Sequence, residues 1–244
     1  MPPLTDTVMI LAAGEGRRLR PWTAETPKPL LDVGGRPLLY WTLEHLQRSG
    51  FTRIIVNAHH LADQIEAALS SEALHLSAEL VVSRETELLG TGGGIRQAAR
   101  YWPPEGAWIF NGDVVCDYAF SPPSPAEAIM VVRESEQALE LGPVWVRDGR
   151  VTGLLDRGAG SGHPFMFTGI HYLSRALALD LPESGCVVRD GYTGWLDQHA
   201  IAADIHRGFW GEIGTPDAWR AIDAQVRAGA FPWLTGSAQQ DRLQ

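Results

Sequence analysis

Cysteine is nearly absent from this chain of 244 residues, occurring only at Cys116 and Cys186. Two thiols seventy positions apart, with no CxxC spacing, exclude a disulfide framework and a cysteine zinc site, so both are expected to be reduced. The histidines never fall in HxH or HxxxH spacing, which removes the usual histidine metal sets. Positive charge is also short. Against 29 acidic residues stand 20 basic ones, giving a net charge of −9 and a pI near 5.3. That deficit argues against a nucleic-acid partner, because affinity for a phosphate backbone needs a basic face. No run reaches the roughly 18 consecutive apolar residues of a membrane span, and residues 1–7 hold neither a basic cluster nor an apolar core. The expectation is a soluble, cytoplasmic protein with no membrane partner. Two familiar phosphate signatures are missing as well. Leu19 stands where a dinucleotide fingerprint needs its third glycine, and no Gly-Lys-Ser/Thr follows the first glycine loop.

What remains is a chain with 45% apolar residues and the length of one large domain. Its most telling stretch is residues 11–30, LAAGEGRRLRPWTAETPKPL, directly behind the apolar run Val8, Met9, Ile10 and Leu11. The run predicts a buried strand, and the small Ala12 and Ala13 leave its end open. Gly14 and Gly16 allow backbone N–H groups to turn together onto an anion. Arg17, Arg18 and Arg20 supply forked donors, and Lys28 a compact point charge. Pro21, Pro27 and Pro29 forbid a continuous helix, so this cationic stretch is a loop with fixed bends suited to a polyphosphate.

Periodicity then alternates. An amphipathic helix is predicted over residues 37–49, closed by Gly50, with strands at 53–57, 79–83 and 107–110 and helices at 61–69 and 95–101. Alternating βαβ units imply an α/β fold, a Rossmann-like doubly wound sheet that is mainly parallel. Strands at 128–132, 144–146, 150–155 and 165–173 suggest an antiparallel or mixed second half, with a helix starting at Ser174. One domain over residues 1–230 is expected, with halves at about 8–120 and 121–230. Residues 231–244, polar and without periodicity after Trp233, are expected to form a tail. Trp22, Trp41, Trp102 and Trp108 are assigned to the core, while Trp195, Trp210 and Trp219 suit either core or a sugar-facing position.

Ligands of such sheets bind beyond the carboxyl ends of the strands, where residues 12–18, Asn57 and Asp113 fall. Residues 89–94, LGTGGG, place four glycines in five positions before a helix, so backbone there can approach a flat ligand closely. No nucleophile stands beside a base, which suits chemistry run by positioning and charge neutralisation.

LAAGEGRRLRP and TPKPLLDVGGRPLL, followed in order by LLGTGGGI at 88–95, FNGDV at 110–114, TGIHYLS at 168–174 and FWGEIGTPDAW at 209–219, resemble the motifs of sugar-1-phosphate nucleotidyltransferases. The resemblance spans nearly the whole chain. It implies the nucleotide-diphospho-sugar transferase type of fold, with a nucleoside triphosphate and a sugar 1-phosphate as substrates and Mg²⁺ as cofactor. It assigns Leu11, Ala12, Ala13, Gly14, Gly16, Arg17, Arg18 and Lys28 to the triphosphate, and Leu89, Gly90, Thr91 and Gly92 to base and ribose. Asn111, Gly112, Thr168 and Gly169 would meet the sugar, as would Asp156 and Arg157 where relatives carry Glu-Lys. Asp113 and Glu212 would hold the metal, although the family usually has Asp at the second position. Arg18, Lys28 and Asp113 are the implied catalytic residues. Residues 84–89 and NAHHLADQI at 57–65 resemble N-acetylmuramate 1-phosphate uridylyltransferases, whereas Gly90-Thr91 is similar to guanylyltransferases for mannose or heptose 1-phosphate. A nucleotide-sugar-binding homologue without turnover is the reading from another class.

Overall fold

The computed structural model describes residues 5–72, 74–120, 126–155 and 161–235. The apolar run folds as β1 (Thr7–Leu11), and two short strands, β2 (Asp32–Val33) and β3 (Arg36–Pro37), turn at Gly34 and Gly35. Next come β4 (Arg53–Ala58), β5 (Glu79–Arg84), β6 (Ala107–Asn111) and β7 (Val114–Cys116). The second half holds β8 (Ala128–Arg133), β9 (Val144–Arg147), β10 (Arg150–Leu154), β11 (His163–Leu173), β12 (Ile201–Ile205) and β13 (Trp210–Glu212). The helices are α1 (Trp22–Glu25), α2 (Leu38–Arg48), α3 (Ala62–Leu69), α4 (Gly90–Ala98), α5 (Ala138–Leu141), α6 (Arg175–Asp180), α7 (Thr193–Trp195), α8 (Pro216–Arg227) and α9 (Pro232–Thr235). None is long and apolar enough to cross a membrane among the described residues.

Nine strands form one sheet in the order β5-β4-β1-β6-β11-β8-β12-β10-β9. β5, β4, β1 and β6 run parallel, while β11 enters antiparallel to both β6 and β8. The start of β11 also pairs with β9, so the second half curls back on itself. Strand alternation sorts side chains to two faces. Val8 and Ile10 join Leu39, Leu43, Leu46 and Ile65 of α2 and α3, whereas Met9 faces the other way onto Ile95 and Ala98 of α4. Helices thus cover both faces, as a doubly wound sheet requires. α2 buries the apolar residues its periodicity picks out, and Gly50 ends it with φ of 100°.

Three features differ from the expectation. The helix predicted from Ile95 begins at Gly90, so the glycine run is its first turns. Glycine costs a helix about 1 kcal/mol per residue relative to alanine, and here tertiary bonds hold the turn: Gly92 N–H donates to Gly185 O at 2.8 Å and Gly185 N–H to Leu89 O at 2.8 Å. Residues 231–235 are not tail. Phe231 and Leu234 are buried in a third cluster with Leu19, Val33, Trp41 and Ile222, and Arg48 donates to Leu234 O at 2.6 Å. Trp22, assigned to the core, is 39% exposed and meets Trp219 edge-on, while Trp41, Trp102, Trp108 and Trp195 are buried.

Candidate active site

The register of the parallel strands builds the floor of a cleft. Leu11, the last residue of β1, pairs with Asn57 of β4 on one side and Asn111 of β6 on the other. Beyond Leu11 the chain turns through the glycine loop. Gly16 has φ of 60°, and a Cβ there would lie 2.9 Å from Thr23 Cγ2 and 3.2 Å from Lys28 Cβ, so only glycine fits. The fully buried Thr23 pins the loop by donating its hydroxyl to Gly16 O at 2.9 Å, and the Thr23 carbonyl lies 2.7 Å from His60 Nε2. Arg17 and Arg18 project from the following turn into solvent, Arg17 paired with Glu15 and Arg18 4.0 Å from Glu212.

Lys28 returns beneath the loop and forms an ion pair with Asp113. It is the only lysine in the chain, beside 19 arginines. Asp113 is carried by the turn after β6, where Gly112 N–H donates to Leu11 O at 3.0 Å. A Cβ on Gly112 would come within 2.7 Å of that same oxygen. β7 and β13 then pair antiparallel, Val114 opposite Glu212, and Ile213 N–H donates to Asp113 O at 2.9 Å. This two-stranded ribbon brings Asp113 and Glu212 to one end of the cleft from distant parts of the sequence. Among the described residues no group of three or more histidine, cysteine or acidic side chains could hold a metal.

The opposite wall is the start of α4. Gly90 has φ of 72°, and a Cβ there would lie 2.5 Å from Gly185 O, while one on Gly93 would strike Glu183 O at 2.2 Å. The glycine run therefore answers to close approach by residues 183–187 as much as to a ligand. Behind this wall Glu85 is buried, and burial pushes its carboxyl above the usual range, opposed by bonds from Leu89 N–H and the Asn57 amide.

The open cleft has a volume of about 440 Å³, within the range of small-ligand sites. Of the residues predicted from sequence, Leu11, Ala12, Ala13, Gly14, Gly16, Arg17, Arg18, Lys28, Gly90, Thr91, Asn111, Gly112 and Asp113 line it together. Leu89 and Gly92 are chain neighbours of lining residues but not in the lining, and Glu212 lies 4.0 Å from the lining residue Arg18. Thr168 and Gly169 lie outside it. The Thr168 hydroxyl donates to Val131 O at 2.7 Å, and Gly169, with φ of 77°, leaves room for the Asn111 side chain, whose Nδ2 would be 2.4 Å from a Cβ. Asp156 and Arg157 fall outside the described residues. Sequence reasoning missed Leu88, Pro29 and Gly214 in the lining and Glu85 behind it.

The model of a family described as nucleotidyl transferase matches residues 7–162. N-acetylmuramate alpha-1-phosphate uridylyltransferase of Neisseria meningitidis serogroup B is 35% identical over 233 residues, covering 91% of this chain and 98% of that protein. The mannose-1-phosphate guanylyltransferase catalytic subunit beta of Drosophila melanogaster is 31% identical over 85% of this chain, a match that takes in 59% of that relative. Among solved structures, HddC from Yersinia pseudotuberculosis superposes with a TM-score of 0.76 at 25% identity, over 90% of this chain and 99% of its own.

Proposed function

The chain belongs to the nucleotidyl transferase family and is a sugar-1-phosphate nucleotidyltransferase; from that premise we propose that it transfers a uridylyl group from UTP to an N-acetylmuramate-type or related hexose 1-phosphate. The observation that carries the reading is the meeting in one cleft of the glycine loop, Lys28 and Asp113. The near full-length similarity to a uridylyltransferase supports the choice of base. A second reading, a GTP-dependent mannose or heptose 1-phosphate guanylyltransferase, draws on Gly90-Thr91, similar to that branch, where Gly90 has φ of 72° and the close approach of Gly185 O leaves no room for a side chain. Residues 8–120 would bind the nucleotide and residues 121–230 the sugar phosphate. The two free thiols are compatible with a cytoplasmic setting.

In this reading one oxygen of the sugar 1-phosphate attacks the α-phosphorus in line. The new P–O bond forms as the α–β bridge breaks, and pyrophosphate leaves with the bonding pair. The attacking phosphate is ionised at neutral pH, so no general base is needed. Lys28 would sit between the attacking phosphate and the α-phosphate, matching its compact charge to both. Arg18, Arg17 and the N–H groups from Ala13 to Gly16 would hold the β- and γ-phosphates, with Ala12 N–H bonded to Asn57 Oδ1. Gly90 and Thr91 would face base and ribose beside Leu88, with Leu89 and Gly92 adjoining them in the chain, and Asn111 and Gly112 would meet sugar hydroxyls. Thr168 and Gly169 would act on the sugar indirectly, by seating Asn111. The oxygen-only pair Asp113 and Glu212 fits Mg²⁺, which takes one or two carboxylates and completes its shell with phosphate and water. When bound there, the ion supplies neutralisation of charge on the phosphate oxygens. Pyrophosphate release across UTP, GTP, CTP, ATP and dTTP with a panel of hexose 1-phosphates tests the proposal. UTP with an N-acetylmuramate-type acceptor should lead, and preference for GTP with mannose or heptose 1-phosphate would transfer the assignment to the second reading.

A further inference from the structure

Glu85 is only 3% exposed, makes no ion pair among the described residues, and still presents both oxygens to donors. One accepts from Asn57 Nδ2 at 2.6 Å and the other from Leu89 N–H at 3.1 Å. Asn57 in turn accepts from Ala12 N–H through Oδ1 at 2.7 Å, and the Leu89 carbonyl accepts from Gly185 N–H at 2.8 Å. A continuous line of bonds therefore runs from the first peptide of the glycine loop, through two buried side chains, to the peptide that starts α4. A second observation marks the same line. A Cβ on Gly94 would lie 2.6 Å from Glu85 Oε1 and 2.8 Å from Asn57 Nδ2, so α4 rests directly on the pair and only glycine lets it.

Burying a carboxylate is costly unless its oxygens are bonded, and a neutral amide offers only one acceptor where two donors converge. A residue kept for packing alone would not need that pattern of polarity. We propose that Glu85, acting through Asn57, is a positioning residue that fixes the glycine loop relative to α4, and so holds the triphosphate end and the base end of the nucleotide at a set distance. This inference rests on the nucleotide reading of the cleft.

Three variants of the full chain test it: Glu85→Gln, Asn57→Asp, and the two combined. In Glu85→Gln, the amide nitrogen must face either Asn57 Nδ2 or Leu89 N–H, donor against donor in both cases. In Asn57→Asp, two carboxylates meet. In the double variant every bond is restored with one polarity reversed. The amide introduced at position 85 donates to the carboxylate introduced at position 57 and accepts from Leu89 N–H, while that carboxylate still accepts from Ala12 N–H. UTP and GTP binding are measured by equilibrium titration without turnover, together with KM for the sugar 1-phosphate and the melting temperature. Each single variant should weaken binding of the preferred nucleotide by about tenfold, the scale of a buried group left unpaired, with the sugar phosphate KM within about twofold of wild type. The double variant should return nucleotide binding to within about threefold. Unchanged nucleotide binding in both single variants overturns the relay, and so does a proportional loss of both substrates with thermal stability. A single variant that fails to fold leaves the decision to the double variant, which overturns the relay if it is unfolded or binds nucleotide no better than a single one. Absence of turnover in the wild type would count against the proposed reaction and leave the binding comparison intact.

Discussion

Replacing Lys28 probes the cleft most sharply, because the chain uses arginine at 19 other basic positions and lysine here alone. The Lys28 side chain is 13% exposed and its Asp113 partner 22%, so the pair lies between the surface and fully buried limits. Lys28→Ala leaves the carboxylate half-sheltered without its cation, which should cost about 1 to 2 kcal/mol of stability, above an exposed pair and below a buried one. For a chain of this size that lowers the melting temperature by roughly 2 to 8 °C and leaves the protein folded at room temperature. Turnover should fall much further, by about 10² to 10³, the scale for removing one preorganised charge-stabilising donor. Lys28→Arg is the more discriminating change. The Lys28 side chain is largely buried against Asp113, and a planar guanidinium cannot occupy the space of an ammonium. It should retain folding and lose more than about tenfold in turnover. Steady-state pyrophosphate release and differential scanning calorimetry on the same preparations separate the two effects. Wild-type turnover in Lys28→Arg, or Lys28→Ala within about threefold of wild type, would refute the role given to this amine.

Asp113→Asn should keep its shape, lose its charge and cut Mg²⁺-dependent turnover by about 10² or more, while Glu212→Asp should be tolerated. If Glu212→Asp were inactive and Glu212→Gln active, Glu212 would not be a metal ligand. Gly169→Ala forces a Cβ into the Asn111 side chain at a φ of 77°, and is expected to raise KM for the sugar 1-phosphate several-fold with nucleotide affinity unchanged. Equal changes for both substrates would remove Asn111 from the sugar side. Burial lowers the histidine pKa to about 4 at His45 and about 3 at His171. Both stay neutral in the native state while the unfolded chain protonates below about 6.5, so stability is intact above that pH and falls on acidification. The loss is roughly 2 kcal/mol per histidine at pH 5. A melting temperature that is flat from pH 7.5 to 5 would contradict this; His45→Phe, which keeps the edge-on contact with Trp233, should flatten part of the slope.

The parallel half of the sheet and the cationic loop were legible because each rests on local pattern: an apolar run, small residues, glycines and prolines at fixed offsets. β13, which carries Glu212, was not read as a strand, since three residues paired to β7 carry no period of their own. The glycine run was legible as a site of close approach, but half of what approaches is the chain itself, the carbonyls of Glu183 and Gly185 from ninety positions away. Glu85 escaped for a similar reason. Its burial follows from α4 closing over it, and nothing in its neighbours announces that a charged residue will face inward. Phe231 and Leu234 sit in a polar stretch too short for periodicity, and their burial depends on Phe209 and α2.

Everything assigned to the cleft depends on a nucleotidyl group passing from a nucleoside triphosphate to a sugar 1-phosphate without lodging on the protein. Incubating the enzyme with Mg²⁺, N-acetylmuramate 1-phosphate and UTP labelled at the α-phosphate, then resolving products and protein, tests it directly. Label should move into a UDP-sugar in step with pyrophosphate release, with none retained on the denatured protein. Label confined to UTP, released as UMP or fixed covalently to the chain, under conditions where no other triphosphate and hexose 1-phosphate react, would contradict the account.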